Sequence, residues 1–177
     1  MVNFKENRYK LYEKLQDNSV LILYSGALKH ASADEGYPFK ANMNFYYLTG
    51  IKQNHVYLVA KKYHNVIEET LFIYENDPVK VRWIEAYLYP EEAKAISGVE
   101  NVNFVSEFDN FLAKILRFKV LKNVYLDLEK PQFDGQVNFG YVLKDKVNAY
   151  SFGKKIINIY EDIVTLRGCK SKEEVEL

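Results

Sequence analysis

The chain has 177 residues, and its 24 Lys and Arg balance 24 Asp and Glu, for a formal net charge of zero. That length fits one domain, or one domain and a fragment of another, and 48% apolar with 27% charged residues is an ordinary globular composition. The charge balance argues against a nucleic-acid binder, which usually carries a basic excess or stripe, and no stretch approaches the ~18 apolar residues of a membrane span.

Fifteen Tyr and eleven Phe favour a core that contains a sheet. The single cysteine, Cys169, cannot form an internal disulfide, which fits a reducing compartment. The first residues, "MVNFKENRYK", are charged and lack the apolar run of a signal peptide. The expected location is the cytoplasm.

In chain order, residues 4–16 predict a helix with Phe4, Arg8, Leu11, Tyr12 and Leu15 on one face. "VLILY", Val20 to Tyr24, is a continuous apolar run of the kind found in buried central strands. A polar loop, "HASADEG", leads into "YPFKANMNFYYLTG", Tyr37 to Gly50, where five aromatic rings crowd into eleven residues, with Pro38 near the start and Gly50 at the end. "VYLVA" (Val56 to Ala60) and "TLFIYE" (Thr70 to Glu75) read as an antiparallel pair turning at "KKYHN".

"PEEAKAISG" predicts a short helix with Pro90 in its first turn and Gly98 at its end. "VNFV" (Val102 to Val105) reads as a strand. Ser106 is then expected to cap a helix whose stripe is Phe108, Phe111, Leu112, Ile115 and Leu116, with Asp109 in the first turn. "NVYLDL" (Asn123 to Leu128) predicts a strand. Residues 136–147 are ambiguous, with helix preferred, and "IINIY" (Ile156 to Tyr160) reads as a strand or an extended link. "SKEEVEL" opens on a capping-box pattern, Ser171 and Glu174, and announces a helix that six residues cannot sustain. The expectation is that the chain is the front of a longer protein. Alternating strands and helices, interrupted by one hairpin, predict an α/β layered domain: a mixed sheet with helices on both faces.

Chemistry is sparse. His30, His55 and His64 are far apart, and one Cys completes no zinc motif; ordinary surface or hydrogen-bonded histidines are the simpler reading. Arg167 and Lys170 flank Cys169, but no base is marked for it as a nucleophile. Neither a serine-hydrolase elbow nor a glycine-rich phosphate loop is present. Among the carboxylates Asp34, Glu35, Asp77, Asp109, Asp127 and Asp134, only Asp127, at a strand end, is suggestive of a site; the acidic residues of "EEAKA" and "EDI" (Glu161 to Ile163) read more simply as solvated helix starts.

"SADEGYPFKANMNFYYLTG" resembles the signature of the N-terminal domain of Xaa-Pro aminopeptidases, the aminopeptidase P group of the creatinase/prolidase family. That pattern runs roughly Y-P-F/Y-R-x-N/D-S-D-F-x-Y-L/F-T-G. Tyr37, Pro38, Phe39, Asn42, Phe45, Tyr47, Thr49 and Gly50 match it. Lys40 stands for the usual Arg, and Met43-Asn44 for Ser-Asp. "RWIEAYLYPEEA" resembles a second segment through Trp83 and Ala93, departing from it at Glu85 and Tyr87. "TLRGCKSKEEVEL" resembles the family's junction into its catalytic domain.

The resemblance implies a three-layer α/β sandwich for residues 1–165, with 166–177 beginning the linker or helix into a C-terminal "pita-bread" domain. The complete enzymes of the family remove an N-terminal residue that precedes proline. They use two divalent ions, typically manganese, held in that later domain, so the resemblance implies no catalytic or metal-binding residue in this chain. It implies that Phe45 and Tyr47 pack the core and that Tyr37 and Phe39 face the substrate side. Trp83 is matched to a tryptophan that approaches the substrate pocket of a neighbouring subunit in a homo-oligomer. The expected partners are peptides with proline second, the catalytic domain and further copies of the chain, with no nucleic acid and no membrane. A prolidase-type dipeptidase domain, or a binding module whose partner domain has lost its metal ligands, are the alternatives.

Overall fold

The computed structural model describes residues 3–33, 35–76, 86–130, 132, 139–150 and 153–169. Helix α1, Phe4–Tyr12, starts where the Asn3 side chain accepts the Glu6 amide at 3.1 Å. It is shorter than the sequence suggests, because the chain tightens into turns at Lys14 and Leu15, whose amides bond to Leu11 and Tyr12 carbonyls. The remaining elements are β1 (Ser19–Tyr24), β2 (His30–Ser32), β3 (Glu35–Gly36), α2 (Met43–Thr49), β4 (Tyr57–Tyr63), β5 (Val66–Ile73) and α3 (Pro90–Ser97). They continue with β6 (Val102–Phe104), α4 (Phe108–Arg117), β7 (Asn123–Leu126), α5 (Phe139–Tyr150), β8 (Lys155–Asn158) and α6 (Tyr160–Gly168).

Six strands form one mixed sheet in the order β6-β5-β4-β1-β7-β8. β1 lies at its centre, antiparallel to β4 and parallel to β7. β4 and β5 form the expected hairpin, and His64 and Asn65, both at positive φ (50° and 58°), make its tight turn. β5 pairs with β6, and β7 with β8, in parallel. Ile156–Asn158 is therefore a strand and not a link.

The alternation of strand side chains sorts the core onto two faces. Leu21, Leu23, Leu58, Ala60, Leu71, Ile73 and Tyr125 pack with Leu11, Phe45, Leu48, Ala93 and Ile163 from α1, α2, α3 and α6. Val20, Ile22, Val59, Phe72, Val124 and Leu126 pack with Phe108, Leu112, Leu116, Leu143 and Val147 from α4 and α5. The result is a three-layer α/β sandwich, as expected.

Two further features depart from the sequence reading. Ser106 does not cap α4: residues 105–107 close as a 3-10 turn, Ser106 lies inside it, and Glu107 occupies the cap position without a side-chain bond. Residues 160–168 form α6, although Tyr160 is expected in a strand or link; the helix start read at "EDI" agrees with it. Trp83, Asp34, Asp77, Asp134 and the helix announced at Ser171 lie outside the described residues.

The aromatic stretch divides at Asn42. Its side chain accepts the amides of Asn44 (2.8 Å) and Phe45 (3.0 Å), which starts α2; Gly50, at φ 71°, ends it. Phe45 is fully buried, and Tyr47 packs at the edge of the same cluster. Tyr47 donates its hydroxyl to the Leu166 carbonyl at 3.3 Å. Both rings serve the core, as anticipated.

Candidate functional site

β1 and β7 are parallel, and the crevice beyond the carboxyl ends of such strands is where α/β sheets most often hold ligands. Here that crevice is a cavity of about 560 Å³, within the usual range for small-molecule sites. Tyr24, Gly26, Tyr37, Phe39, Asp127 and Phe139 are among its lining residues.

Local sequence explains the opening. After Tyr24 the chain leaves the sheet through Ser25-Gly26. The Ser25 amide donates to the Val56 carbonyl and its hydroxyl accepts the Val56 amide, both at 2.9 Å. The His55 amide donates to Gly26 and the Asn42 amide to Ser25, both at 2.8 Å. Gly26 has φ 108°, and a Cβ there would sit 3.6 Å from the Phe39 ring and 3.7 Å from the Phe139 ring. A glycine therefore lets backbone run directly against both rings.

Asp127 lies on the floor, just beyond β7. Its Oδ2 accepts from Asn44 Nδ2 at 2.9 Å, and Asn44 Oδ1 accepts from Arg167 Nη1 at 2.7 Å. Oδ1 is buried and completes no hydrogen bond. An unmet buried acceptor costs about 1–3 kcal/mol. Burial pushes the Asp127 carboxyl above its ordinary value; the Asn44 bond opposes this, the Glu129 charge adds to it and Arg167 opposes it. The carboxylate singled out in the sequence thus belongs to the cavity. Asn44, Arg167, Glu129 and Phe139 could not be added from sequence alone, because Asn44 and Arg167 lie 83 and 123 positions from their respective partners.

A belt of rings runs from the cavity wall. Tyr24 stacks on Tyr57 with centroids 4.4 Å apart, and Tyr57 stacks on Phe108 at 4.0 Å. The Tyr24 hydroxyl lies 2.6 Å from His55 Nδ1. Burial, then the neighbouring Tyr57, push the Tyr24 phenol upward, and burial pushes His55 downward. With the phenol protonated and the imidazole neutral, the tautomer of His55 decides which group donates. His55 meets Tyr74 edge-on at 5.3 Å, and Tyr74 stacks on Tyr87 at 5.0 Å. Asn76 and Tyr87 then exchange two hydrogen bonds, each 2.8 Å, through the Asn76 amide group. The two ends of the segment that carries Trp83 are thereby joined and tied to the belt.

Of the three residues expected on the substrate side, Tyr37 and Phe39 are brought together at the cavity. Tyr37 is 60% exposed, and Leu28 nearby is 50% exposed. The histidines do not converge: His30 bonds the Ala33 carbonyl, His55 is on the belt and His64 forms the hairpin turn. Cys169 is exposed. Among the described residues no group of three His, Cys, Asp or Glu is placed to hold a metal ion. None of their helices is long and apolar enough to cross a membrane.

These features define a three-layer α/β domain with a ligand-sized, ring-walled cavity at the ends of its central parallel strands. The chain belongs to the aminopeptidase P, N-terminal domain family, which it matches over residues 4–125. It is 32% identical to a Xaa-Pro aminopeptidase of Haemophilus influenzae over 114 residues, 64% of this chain and 26% of that protein. The Xaa-Pro aminopeptidase of Escherichia coli is 28% identical over 116 residues, again 64% of this chain and 26% of the relative. A solved Bacillus anthracis structure, assigned as an aminopeptidase P, overlays 98% of this chain and 42% of its own at TM-score 0.92 and 37% identity. The E. coli aminopeptidase P structure, at 23% identity and TM-score 0.80, shares the fold. The chain thus spans about a quarter of the length of these two curated relatives.

Proposed function

We propose that this chain is the N-terminal, non-catalytic domain of a cytoplasmic metalloaminopeptidase that removes the residue preceding proline at a peptide N-terminus. The observation that carries the reading is the family match over residues 4–125, joined to a 98% overlay at 37% identity on the B. anthracis protein. The names of the curated relatives favour Xaa-Pro aminopeptidase over a prolidase-type dipeptidase. An exposed free Cys169 agrees with a reducing compartment.

The described residues do not fit a metal pair. In this reading the divalent ions, manganese in the first instance, sit in a C-terminal pita-bread domain entered from residues 166–177. When bound, such ions supply a nucleophilic hydroxide and polarise the scissile carbonyl. This chain's part is access. Proline lacks an amide hydrogen and has a fixed φ, so its ring is best recognised by shape against apolar surfaces. The exposed Tyr37, with Phe39 behind it, supplies such a surface. Trp83, on a segment whose ends are fixed by Asn76 and Tyr87, would reach a neighbouring subunit's substrate in a homo-oligomer.

The test compares the full-length protein with this chain on a Xaa-Pro tripeptide and a Xaa-Pro dipeptide, with and without manganese. Metal-dependent cleavage of the tripeptide by the full-length protein alone supports the reading. Cleavage of dipeptides only would make it a prolidase, and inactivity with metal present a binding module. Trp83→Ala in the full-length protein should lower kcat/KM about tenfold without lowering Tm. Unchanged kinetics would remove Trp83 from the substrate path.

A further inference from the structure

We propose that the cavity above Asp127 is a binding site for a small zwitterion of dipeptide size, its ammonium group on Asp127 and Glu129 and its carboxylate at a rim of lysines. The inference rests on the cavity and is independent of the function proposed above.

The polar groups are ordered by depth. Asp127 is deepest, with one carboxylate oxygen held by Asn44 and the other buried without a partner. The Asn42 amide is close enough to ease the Asp127 charge but completes no bond to Oδ1. Glu129, half-buried, lies further out and takes the Tyr160 hydroxyl at 3.3 Å. Lys29, Lys40 and Lys130 are exposed at the mouth and make no ion pair among the described residues. Acid inside and base outside matches one orientation of an amino acid or short peptide, ammonium first. A simple cation would leave the lysines unused, and a simple anion would face the buried carboxylate.

The walls set the rest of the ligand. Phe39 and Phe139 close one side against Gly26, and Leu143 and Ile22 add aliphatic surface. An apolar side chain on the first residue would pack there. A cavity of about 560 Å³ is larger than a single small amino acid needs and suits a dipeptide. Because Asn44 links Asp127 to Arg167 on α6, occupancy would also stiffen the helix at the end of the described chain.

The experiment is titration calorimetry and amide NMR of this chain with Leu-Gly, with Leu-Gly amide, which lacks the carboxylate, and with N-acetyl-Leu-Gly, which lacks the ammonium. Leu-Gly should bind saturably, shifting resonances around Gly26, Phe39 and Asp127, and acetylation should weaken it about tenfold or more. Asp127→Asn, which can still accept from Asn44, should weaken Leu-Gly about tenfold. The joint change of Lys29, Lys40 and Lys130 to Gln touches only exposed residues; it should weaken Leu-Gly but leave Leu-Gly amide unaffected. Equal binding of the acetylated peptide, unchanged affinity in both variants, or no saturation up to about 10 mM would overturn the proposal.

Discussion

The fold's most exacting polar centre is Arg8, a residue that the helical pattern of α1 aims inward together with Leu11 and Tyr12. Arg8 is wholly buried. Its Nε donates to Glu69 Oε1 at 2.7 Å and its Nη2 to Oε2 at 3.3 Å. Its Nη1 donates to the Leu48 carbonyl at 3.0 Å and the Ser97 carbonyl at 2.7 Å. Tyr12 adds its hydroxyl to Glu69 at 2.7 Å. One guanidinium therefore ties α1 to β5 and to the last turns of α2 and α3. Arg8→Met keeps the apolar stem and removes every donor. It leaves Glu69, 11% exposed, charged with only Tyr12 as a partner, and orphans two carbonyls from this bond. Breaking a buried pair from one side costs about 3–5 kcal/mol, a large part of the 5–15 kcal/mol typical of a whole domain. At this chain length that lowers Tm by about 6–20 °C. Urea melts of Arg8→Met, Glu69→Leu and the double variant form the assay. The double variant should cost less than the sum of the singles by more than about 1 kcal/mol, because neither charge is then stranded. A loss below about 1 kcal/mol for Arg8→Met, or strict additivity, would refute this account.

Asp127 gives a pH signature. Its carboxyl titrates above its ordinary value of 3.8 in the fold, so the native state binds the extra proton and stability falls as pH rises through that window. Asp127→Asn should remove that fall and be more favourable at pH 7 than at pH 3 by about 1 kcal/mol; identical melts relative to wild type at both pH values would contradict it. Gly50→Ala forces φ 71° on a residue with a Cβ and drives that Cβ into the Phe4 ring, so urea melts should show a loss of about 2 kcal/mol or more. Tyr24→Phe reads the tautomer: where Tyr24 donates to a neutral His55, its removal should move the His55 titration, followed by NMR, upward. No movement would place the His55 proton on Nδ1 instead.

What the sequence revealed depended on how local its physics is. β1 was legible because five consecutive apolar residues, Val20 to Tyr24, can only be buried on both faces, and α3 because Pro90 and Gly98 punctuate it. α6 was legible only at its start. Ile163 is its one fully buried side chain, and the helix is held by long-range ties: Lys14 to Asp162 at 3.3 Å, Tyr47 to the Leu166 carbonyl, and Arg167 to Asn44. Nothing in "YEDIVTLRG" alone displays those partners. The cap of α4 failed for a related reason, since Ser106 is a good cap by type but the turn before the helix had already closed around it. At the site, Asp127 was readable as a carboxylate at a strand end. Its depth, its unpaired oxygen and its line to α6 arise only when α2, β7 and α6 meet.

The crowding of rings between Pro38 and Gly50 reflects two different demands on adjoining residues. From Phe45 onward the pattern is helical and inward, and substitutions there act through the core. Before Asn42 the same kind of residue lines the cavity and lies partly in solvent. Asn42 is the pivot: its side chain starts α2, and its own amide fastens the chain to the Ser25 carbonyl at the end of β1. A ring before the pivot can be changed at little cost to stability while altering what the cavity accepts. After the pivot, α2 also carries Asn44, whose side chain holds both Asp127 and Arg167. The stretch therefore couples the packing of α2 to the shape of the site. That coupling explains why so apolar a segment lies at the edge of a cavity instead of wholly within the core.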